Sequence, residues 1–176
     1  MRSLVFVLLF IIQILGQAMA SNDKIILGYI EKVTLLPQDL TLSAKLDTGA
    51  KTASLNAIKI TQIDVHGVPY LRFIVPSKAG DITFQCEYIG KVSIKVRAGE
   101  IKTTNLFRKV ISRPVVLMRM QLAGQERLIR VNLTNRKRFI YPLLLGRDAI
   151  IAFHGVIDPA RRYIISSLKN GEVSKV

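Results

Sequence analysis

Two short motifs that lie far apart in the sequence constrain the fold of this chain more than any other feature. The first, Asp47-Thr48-Gly49-Ala50, follows a segment in which every second residue is apolar: Leu40, Leu42, Ala44 and Leu46. Such alternation is typical of a β-strand with one buried face, and Asp and Gly favour a turn at its end. The second motif is the apolar run Leu143-Leu144-Leu145-Gly146, followed by Arg147. The fold must therefore accommodate a turn at Asp47 and a buried strand that ends at Gly146.

The rest of the chain has the pattern of many short strands separated by turns. Strands are predicted at residues 25–34, 41–46, 57–65, 70–75, 82–88, 91–96, 115–122 and 128–133, with a final strand at 163–165. One short helix is predicted after Gly146, over residues 148–153, with Asp148 or a neighbour capping its first turn. Short, regularly spaced strands rich in Val, Ile and Thr predict an all-β barrel or sandwich.

The N-terminal segment has the features of a secretory signal peptide. Arg2 precedes an apolar run over residues 4–15. Ala18-Met19-Ala20 then has the small-x-small pattern of a signal-peptidase cleavage site. We therefore predict a signal peptide at residues 1–20 and a single domain at residues 21–176. The run is shorter than the ~20 residues of a spanning helix. No later run is long or apolar enough to span a membrane, so no transmembrane segment is expected in the mature chain. An uncleaved anchor is the alternative.

The chain carries a net charge of +14, and most of the excess lies in residues 91–147, where Glu100 and Glu126 are the only acidic residues. This segment is either a solvated basic face or a surface that attracts an acidic partner. For an exported protein we expect an acidic peptide or an anionic envelope polymer, and no nucleic acid. Cys86, the single cysteine, cannot form an internal disulfide. Its apolar neighbours predict a buried structural thiol.

The two motifs resemble those of retropepsins, the single-domain aspartic proteases. Further similarity to one bacterial branch of that fold comes from Arg113-Pro114-Val115-Val116, Asn135-Arg136, Tyr141-Pro142 and Asp158-Pro159. This branch is often labelled "ATP-dependent zinc protease" and more recently "retropepsin-like aspartic endopeptidase". The resemblance implies a closed β-barrel with one short helix after Gly146, in which Asp47 and Gly146 lie close together.

The resemblance also implies roles for the residues of both motifs. Asp47 would be the catalytic carboxylate, supported by Thr48, Gly49 and Ala50. The strand Leu144-Leu145-Gly146-Arg147 would cross behind it, with both leucines packed under the catalytic loop. A chain with one Asp-Thr-Gly needs a second copy to supply the other carboxylate, so a homodimer is expected. The two carboxylates would share one proton and activate a water molecule.

The chain departs from the retropepsin pattern at Lys51, where a carboxylate that pairs with the Arg of the second motif is usual. Arg147 therefore needs another acceptor, either Asp158 or a backbone carbonyl. Asp148 could be an in-chain partner for Asp47, although a helix cap is the preferred role. The flap that covers the site could be the turn at His66-Gly67 or the loop at residues 76–81.

Three functions are compatible with these features. The first is an exported, periplasmic and homodimeric aspartic endopeptidase that cleaves peptides or proteins, acidic ones among them. The second is a non-catalytic β-barrel that binds an acidic peptide or anionic envelope polymer. The third, metal-dependent hydrolysis, lacks support because the chain has no His-Glu-x-x-His motif and no phosphate-binding loop. We accordingly expect His66 and His154 not to be ligands, and no metal or cofactor.

We predict that export removes the segment up to Ala20. The short charged start, the apolar run and the small residues before the cleavage site are the features that a signal peptidase recognises. Mass spectrometry of the exported protein should therefore find Ser21 at the N-terminus. Exported material that begins at Met1 would contradict the prediction.

Overall fold

The computed structural model describes residues 24–95 and 110–169. The predicted signal peptide, the predicted strand end at Val96 and residues 170–176 of the predicted domain lie outside the described residues. The strands are β1 (Ile25–Gly28), β2 (Ile30–Leu35), β3 (Leu40–Asp47), β4 (Ala53–Asn56), β5 (Ile58–Val65), β6 (Val68–Val75), β7 (Ile82–Lys95), β8 (Val110–Leu122), β9 (Gln125–Thr134), β10 (Leu143–Gly146) and β11 (Gly155–Asp158). The helices in this part of the chain are α1 (Arg147–Ala152) and α2 (Ile164–Lys169).

Six strands close into a barrel in the order β2-β3-β10-β4-β9-β8. Closure occurs where β8 pairs with β2, with Leu35 opposite Met120. The pairs β3–β10 and β4–β9 are parallel, and the other barrel pairs are antiparallel. Strands β7, β6 and β5 extend the sheet from β8, while β1 and β11 form a separate parallel pair. The predicted closed β-barrel is thus confirmed.

The alternating pattern of β3 explains how the barrel is filled. Its apolar residues Leu40, Leu42, Ala44 and Leu46 are all buried. Strand β8 contributes Val116, Met118, Met120 and Leu122 to the same interior. Burying a large apolar side chain stabilises a fold by about 1.5–3 kcal/mol, so this shared interior holds together strands that are distant in sequence. The residues of β3 that alternate with its apolar residues, including Asp47 at its end, face away from the core.

The structure differs from the predicted elements in several places. The strand predicted at residues 25–34 is two strands, β1 and β2, which belong to different sheets. The predicted final strand at residues 163–165 is wrong, because helix α2 begins at Ile164; the described residues therefore contain a second short helix. Strand β7 joins the strands predicted at 82–88 and 91–96, with an irregularity at Gly90, whose φ of 116° suits glycine. Strands β4 and β11 were not predicted, because a four-residue strand is too short to show a period.

A buried carboxylate connects the start of the barrel to helix α2. Glu31 Oε1 accepts hydrogen bonds from the backbone N–H groups of Gly28 (2.8 Å) and Ile164 (2.9 Å), and Oε2 accepts one from Ile165 (3.3 Å). The last two bonds satisfy amides that have no partner within the helix. They explain why a β-branched sequence begins a helix here. Burial raises the pKa of Glu31 above its ordinary 4.5, outweighing the three backbone hydrogen bonds, which lower it.

We predict that Glu31→Gln becomes more stable relative to the native chain as the pH rises. Because folding raises the pKa of Glu31, its stabilising contribution is complete below the unfolded-state pKa and is lost as the pH rises through the folded-state pKa. A Gln carbonyl can keep both Oε1 bonds without a buried charge. Urea unfolding across this pH range should show the difference in unfolding free energy growing with pH.

Glu31→Ala provides the control for this prediction. This variant leaves backbone amides without an acceptor. Its free energy of unfolding should therefore be at least ~2 kcal/mol lower than that of the native chain at every pH. A difference between Glu31→Gln and the native chain that stays constant with pH would contradict the assignment.

Candidate active site

The Asp47 carboxylate lies at the end of β3, where the chain leaves the barrel wall. Its Oδ1 accepts a hydrogen bond from the Gly49 N–H (3.0 Å), and the Ala50 N–H donates to the Asp47 carbonyl (3.2 Å). The side chain is 32% exposed, and its Oδ2 lies 3.7 Å from Lys45 Nζ. Thr48 and Gly49 are exposed. The tight turn therefore holds the carboxylate at the rim of the barrel, accessible to a ligand.

The second motif lies beside the first, as the resemblance implied. In the parallel pair β3–β10, Leu145 is opposite Leu46 and Gly146 is opposite Asp47. A Cβ atom on Gly146 would lie 2.7–2.8 Å from the carbonyl oxygens of Ala50, Lys51 and Thr52. Only glycine allows this approach of the strand to the loop. The predicted proximity of Asp47 and Gly146 is confirmed.

Helix α1 begins against the loop that follows Asp47. The Arg147 N–H donates to the Ala50 carbonyl (2.8 Å), and the Asp148 N–H donates to the Lys51 carbonyl (3.1 Å). Gly146 is the N-cap residue, and no side chain caps the helix. The predicted cap by the Asp148 side chain is therefore wrong, because loop carbonyls already accept the amides that such a cap would satisfy.

The charged side chains beside the loop have partners that the sequence left open. Arg147 Nη1 donates to the Thr48 carbonyl (3.0 Å), so its acceptor is a carbonyl and not Asp158. Lys51 Nζ lies 3.7 Å from Asp148 Oδ2, in an exposed ion pair. The site thus has an ion pair between the Asp47 loop and helix α1, in which the loop carries the cation and the helix the carboxylate.

The two leucines before Gly146 have different environments. Leu145 is fully buried in the core next to Leu46. Leu144 is half-buried and pairs with Lys45 on one side and Ser54 on the other, so it lies on the face that carries Asp47. The carbonyls of the loop approach Gly146 on the face from which Leu144 also projects. That both leucines pack under the loop stays a prediction.

Asn132, which sequence reasoning missed, holds the chain segment that follows the loop. Its Nδ2 donates to the Ala53 carbonyl (2.5 Å) and to Thr52 Oγ1 (3.3 Å). Its position between the apolar residues Val131 and Leu133 was the only signal that could have indicated it.

The two flap candidates lie at different ends of the sheet. Residues 76–79 line a cavity together with Leu40 and Thr41, at the end of β3 away from Asp47. This cavity extends along β3 as far as Ser43, four residues or about 13 Å from Asp47. Both loops therefore stay candidates for the flap. A third candidate is the part of the β7–β8 hairpin formed by residues 91–95 and 110–114. It extends beyond Val116, the residue of β8 that is aligned with Ala53 across β9.

Cys86 is buried, as predicted, and burial raises the pKa of its thiol to about 11. At neutral pH the thiol is therefore protonated and a poor nucleophile. Among residues 24–95 and 110–169, no group of three or more His, Cys, Asp or Glu side chains is arranged to hold a metal ion. In the same ranges no helix is long and apolar enough to cross a membrane.

A closed barrel with an Asp-Thr-Gly loop seated on an apolar strand that ends in Gly defines the class of retropepsin-like aspartic endopeptidases. The family model of the RimB-like proteins, described as the retropepsin-like aspartic endopeptidase RimB, matches residues 26–167. The chain belongs to this family.

Relatives and a solved structure extend this comparison. The chain is similar to probable alpha-L-glutamate ligases of Shewanella halifaxensis (27% identity, 89% of this chain and 33% of the relative) and Desulfotalea psychrophila (31% identity, 76% and 26%). It therefore spans about a third or less of the length of these relatives. A Legionella pneumophila protein of unknown function has a similar structure, with a TM-score of 0.70 and 55% identity over 81% of this chain and 99% of that chain.

We predict that Gly146→Ala separates the Asp47 loop from helix α1. The added methyl group would overlap three backbone carbonyls, at a cost of about 1–3 kcal/mol, and should weaken the hydrogen bonds of the Arg147 and Asp148 amides. Hydrogen exchange at these two amides should accelerate. Gly124→Ala is the control: it strains a positive φ without touching any atom, so it should lower stability without affecting these amides. Native exchange rates in Gly146→Ala would contradict the prediction.

Proposed function

We propose that this protein is an exported, homodimeric aspartic endopeptidase in which Asp47 from each of two chains forms the catalytic pair. The observation that carries this proposal is the pairing of Asp47 with Gly146 across β3 and β10. It presents a carboxylate on a tight turn, with a rigid backbone behind it. Such a carboxylate can accept a proton from a water molecule that attacks a peptide carbonyl.

The environment of Asp47 supports the need for a second chain. Asp148, the acidic residue at the start of helix α1, has its own partner in Lys51. The Asp47 side chain remains accessible, with exposed Thr48 and Gly49 beside it. A second copy related by a two-fold axis would bring an identical carboxylate to the first. Because like charges at short range cannot both be ionised, the pair would hold one proton.

In this mechanism the two carboxylates have complementary roles. The ionised one would take a proton from the water molecule as it attacks, and the protonated one would donate a hydrogen bond to the carbonyl oxygen of the substrate. The hydrogen bond from the Gly49 N–H to Asp47 Oδ1 orients the carboxylate for this task. No step requires a metal ion or cofactor.

We infer that the substrate is an acidic peptide that contains glutamate. The net charge of the predicted mature chain, +14 less the one charge of Arg2 or +13, favours association with negatively charged molecules. In addition, the relatives that contain a region similar to this chain are named as probable alpha-L-glutamate ligases. A peptidase region in the same polypeptide as a glutamate ligase would meet glutamate-containing peptides.

A second candidate function is that of a binding module without catalysis. The observation that favours it is the Lys45 ammonium group, which lies 3.7 Å from Asp47 Oδ2 and would compete with a catalytic water for this oxygen. Hydrolysis of a glutamate-containing peptide that depends on Asp47 would exclude this function, whereas tight binding without hydrolysis would support it.

We predict that Asp47→Asn abolishes cleavage of such a peptide, with a loss of at least about a hundredfold, while the barrel stays folded. The amide keeps the shape of the side chain but cannot act as a base. Peptide cleavage measured by mass spectrometry, together with thermal unfolding, would test this. Asp39→Asn is the matched control, because the same change at the exposed turn before β3 leaves the site untouched. Equal activity in the two variants would exclude the Asp pair.

We also predict that specific activity falls when the protein is diluted below the dissociation constant of the dimer, since each site needs two chains. Sedimentation velocity over the same concentration range should show the dimer dissociating in parallel with the loss of activity. Constant activity in a fully monomeric sample would contradict the shared site.

A further inference from the structure

Lys45 lies beside the Asp47 carboxylate on the same face of β3. The two residues are separated by one position, and alternate residues of a strand project to the same side. In the strand register, Lys45 is paired with Ile30 of β2 and with Leu144 of β10. Ile30 is buried and Leu144 is half-buried, so the lysine has an apolar residue on either side. Its own side chain is 50% exposed, which leaves the ammonium group accessible to a ligand.

The ammonium group of Lys45 can bind a second anion. Its Nζ lies 3.7 Å from Asp47 Oδ2, a distance that makes an ion pair but exceeds that of a hydrogen bond. Within residues 24–95 and 110–169 this nitrogen donates no hydrogen bond. An ammonium group has three N–H donors, and an exposed ion pair contributes little to stability. The contact with Asp47 is therefore one that a ligand carboxylate can displace.

We propose that Lys45 binds a carboxylate side chain of the peptide substrate next to the bond that is cut, and that this contact draws its ammonium group away from Asp47. The inference rests on the proposed function and adds the residue that selects the substrate. Asp47 must lie within hydrogen-bond reach of the attacking water molecule, so the attacked carbonyl would lie close to Lys45 as well. One residue of an extended chain spans ~3.3–3.6 Å, about the 3.7 Å between Nζ and Oδ2. The side chain of a residue that flanks the bond can therefore reach the ammonium group.

The charges explain why an acidic substrate would be cut faster than a neutral one. In the free protein the Lys45 ammonium group competes with a catalytic water molecule for Asp47 Oδ2. A substrate carboxylate offers this ammonium group another anion and so frees the oxygen, whereas a neutral side chain leaves the competition in place. The ammonium group also offsets the repulsion between the substrate carboxylate and Asp47, which carry the same charge. Selection of the substrate and activation of the water molecule are thereby coupled.

Binding can be measured separately from hydrolysis in the full chain that carries Asp47→Asn. The probes are a synthetic hexaglutamate peptide and the corresponding hexaglutamine peptide, compared by titration calorimetry. We expect hexaglutamate to bind more tightly, and Lys45→Met to remove most of this difference. With Asp47 intact, Lys45→Met should lower the ratio of kcat/KM for hexaglutamate to kcat/KM for hexaglutamine by about tenfold. Lys45→Arg keeps the charge and should retain the preference for hexaglutamate, which a loss of structure would not allow.

Lys32→Met is the matched control. It removes the same charge from an exposed position opposite Ser43, about 13 Å along β3 from Asp47, and should change the affinity less than about twofold. Equal losses for Lys45→Met and Lys32→Met, or no difference between the two peptides in the chain with Lys45, would overturn the inference. Hydrolysis of hexaglutamate that depends on Asp47 but not on Lys45 would support the peptidase and overturn the role of Lys45. Binding that depends on Lys45 in a chain that hydrolyses neither peptide would do the reverse.

Discussion

The rest of the site depends on backbone hydrogen bonds between the loop after Asp47 and the start of helix α1. The first helical amides donate to loop carbonyls, so the helix and the loop satisfy polar groups that each would otherwise leave unpaired. An unpaired buried group costs about 1–3 kcal/mol, and two such bonds therefore fix the loop strongly. These two hydrogen bonds require that residue 146 has no side chain, because a Cβ atom there would overlap the loop carbonyls. Gly146, helix α1 and the orientation of the Asp47 carboxylate are thus one structural unit.

The parts of the fold that could be predicted from the sequence are those whose two faces have different environments. Strand β3 alternates clearly because one face fills the barrel and the other carries polar residues. Helix α2 and strand β11, by contrast, depend on distant residues: Glu31 accepts the first amides of α2, and β11 pairs with β1. Because no local pattern encodes such contacts, propensity alone favoured a strand where α2 begins.

In the candidate site, the features set by the backbone could be predicted from the sequence, whereas the partners of the side chains could not. Asp47 and Gly146 could be predicted because their motifs reflect backbone requirements, a tight turn and a close approach of two chain segments. The partners of Arg147 and Lys51 could not, because long side chains reach several acceptors from one backbone position. The hydrogen bond from Asn132 to the Ala53 carbonyl was also hidden, since it arises from the parallel pairing of β4 with β9, and strand order has no local signature.

The position of Asp47 at the barrel rim explains why one chain leaves its site open. Leu46 is the last residue of β3 inside the core, and Asp47, which follows it, lies at the edge of the core. The carboxylate is therefore only half-buried. Activation of a water molecule is most effective where bulk water is excluded, and a single barrel provides only one wall of such a site. Under the proposed function, the exposed loop is the surface that a second copy would cover, so that assembly of the dimer and formation of the catalytic pair would be the same event.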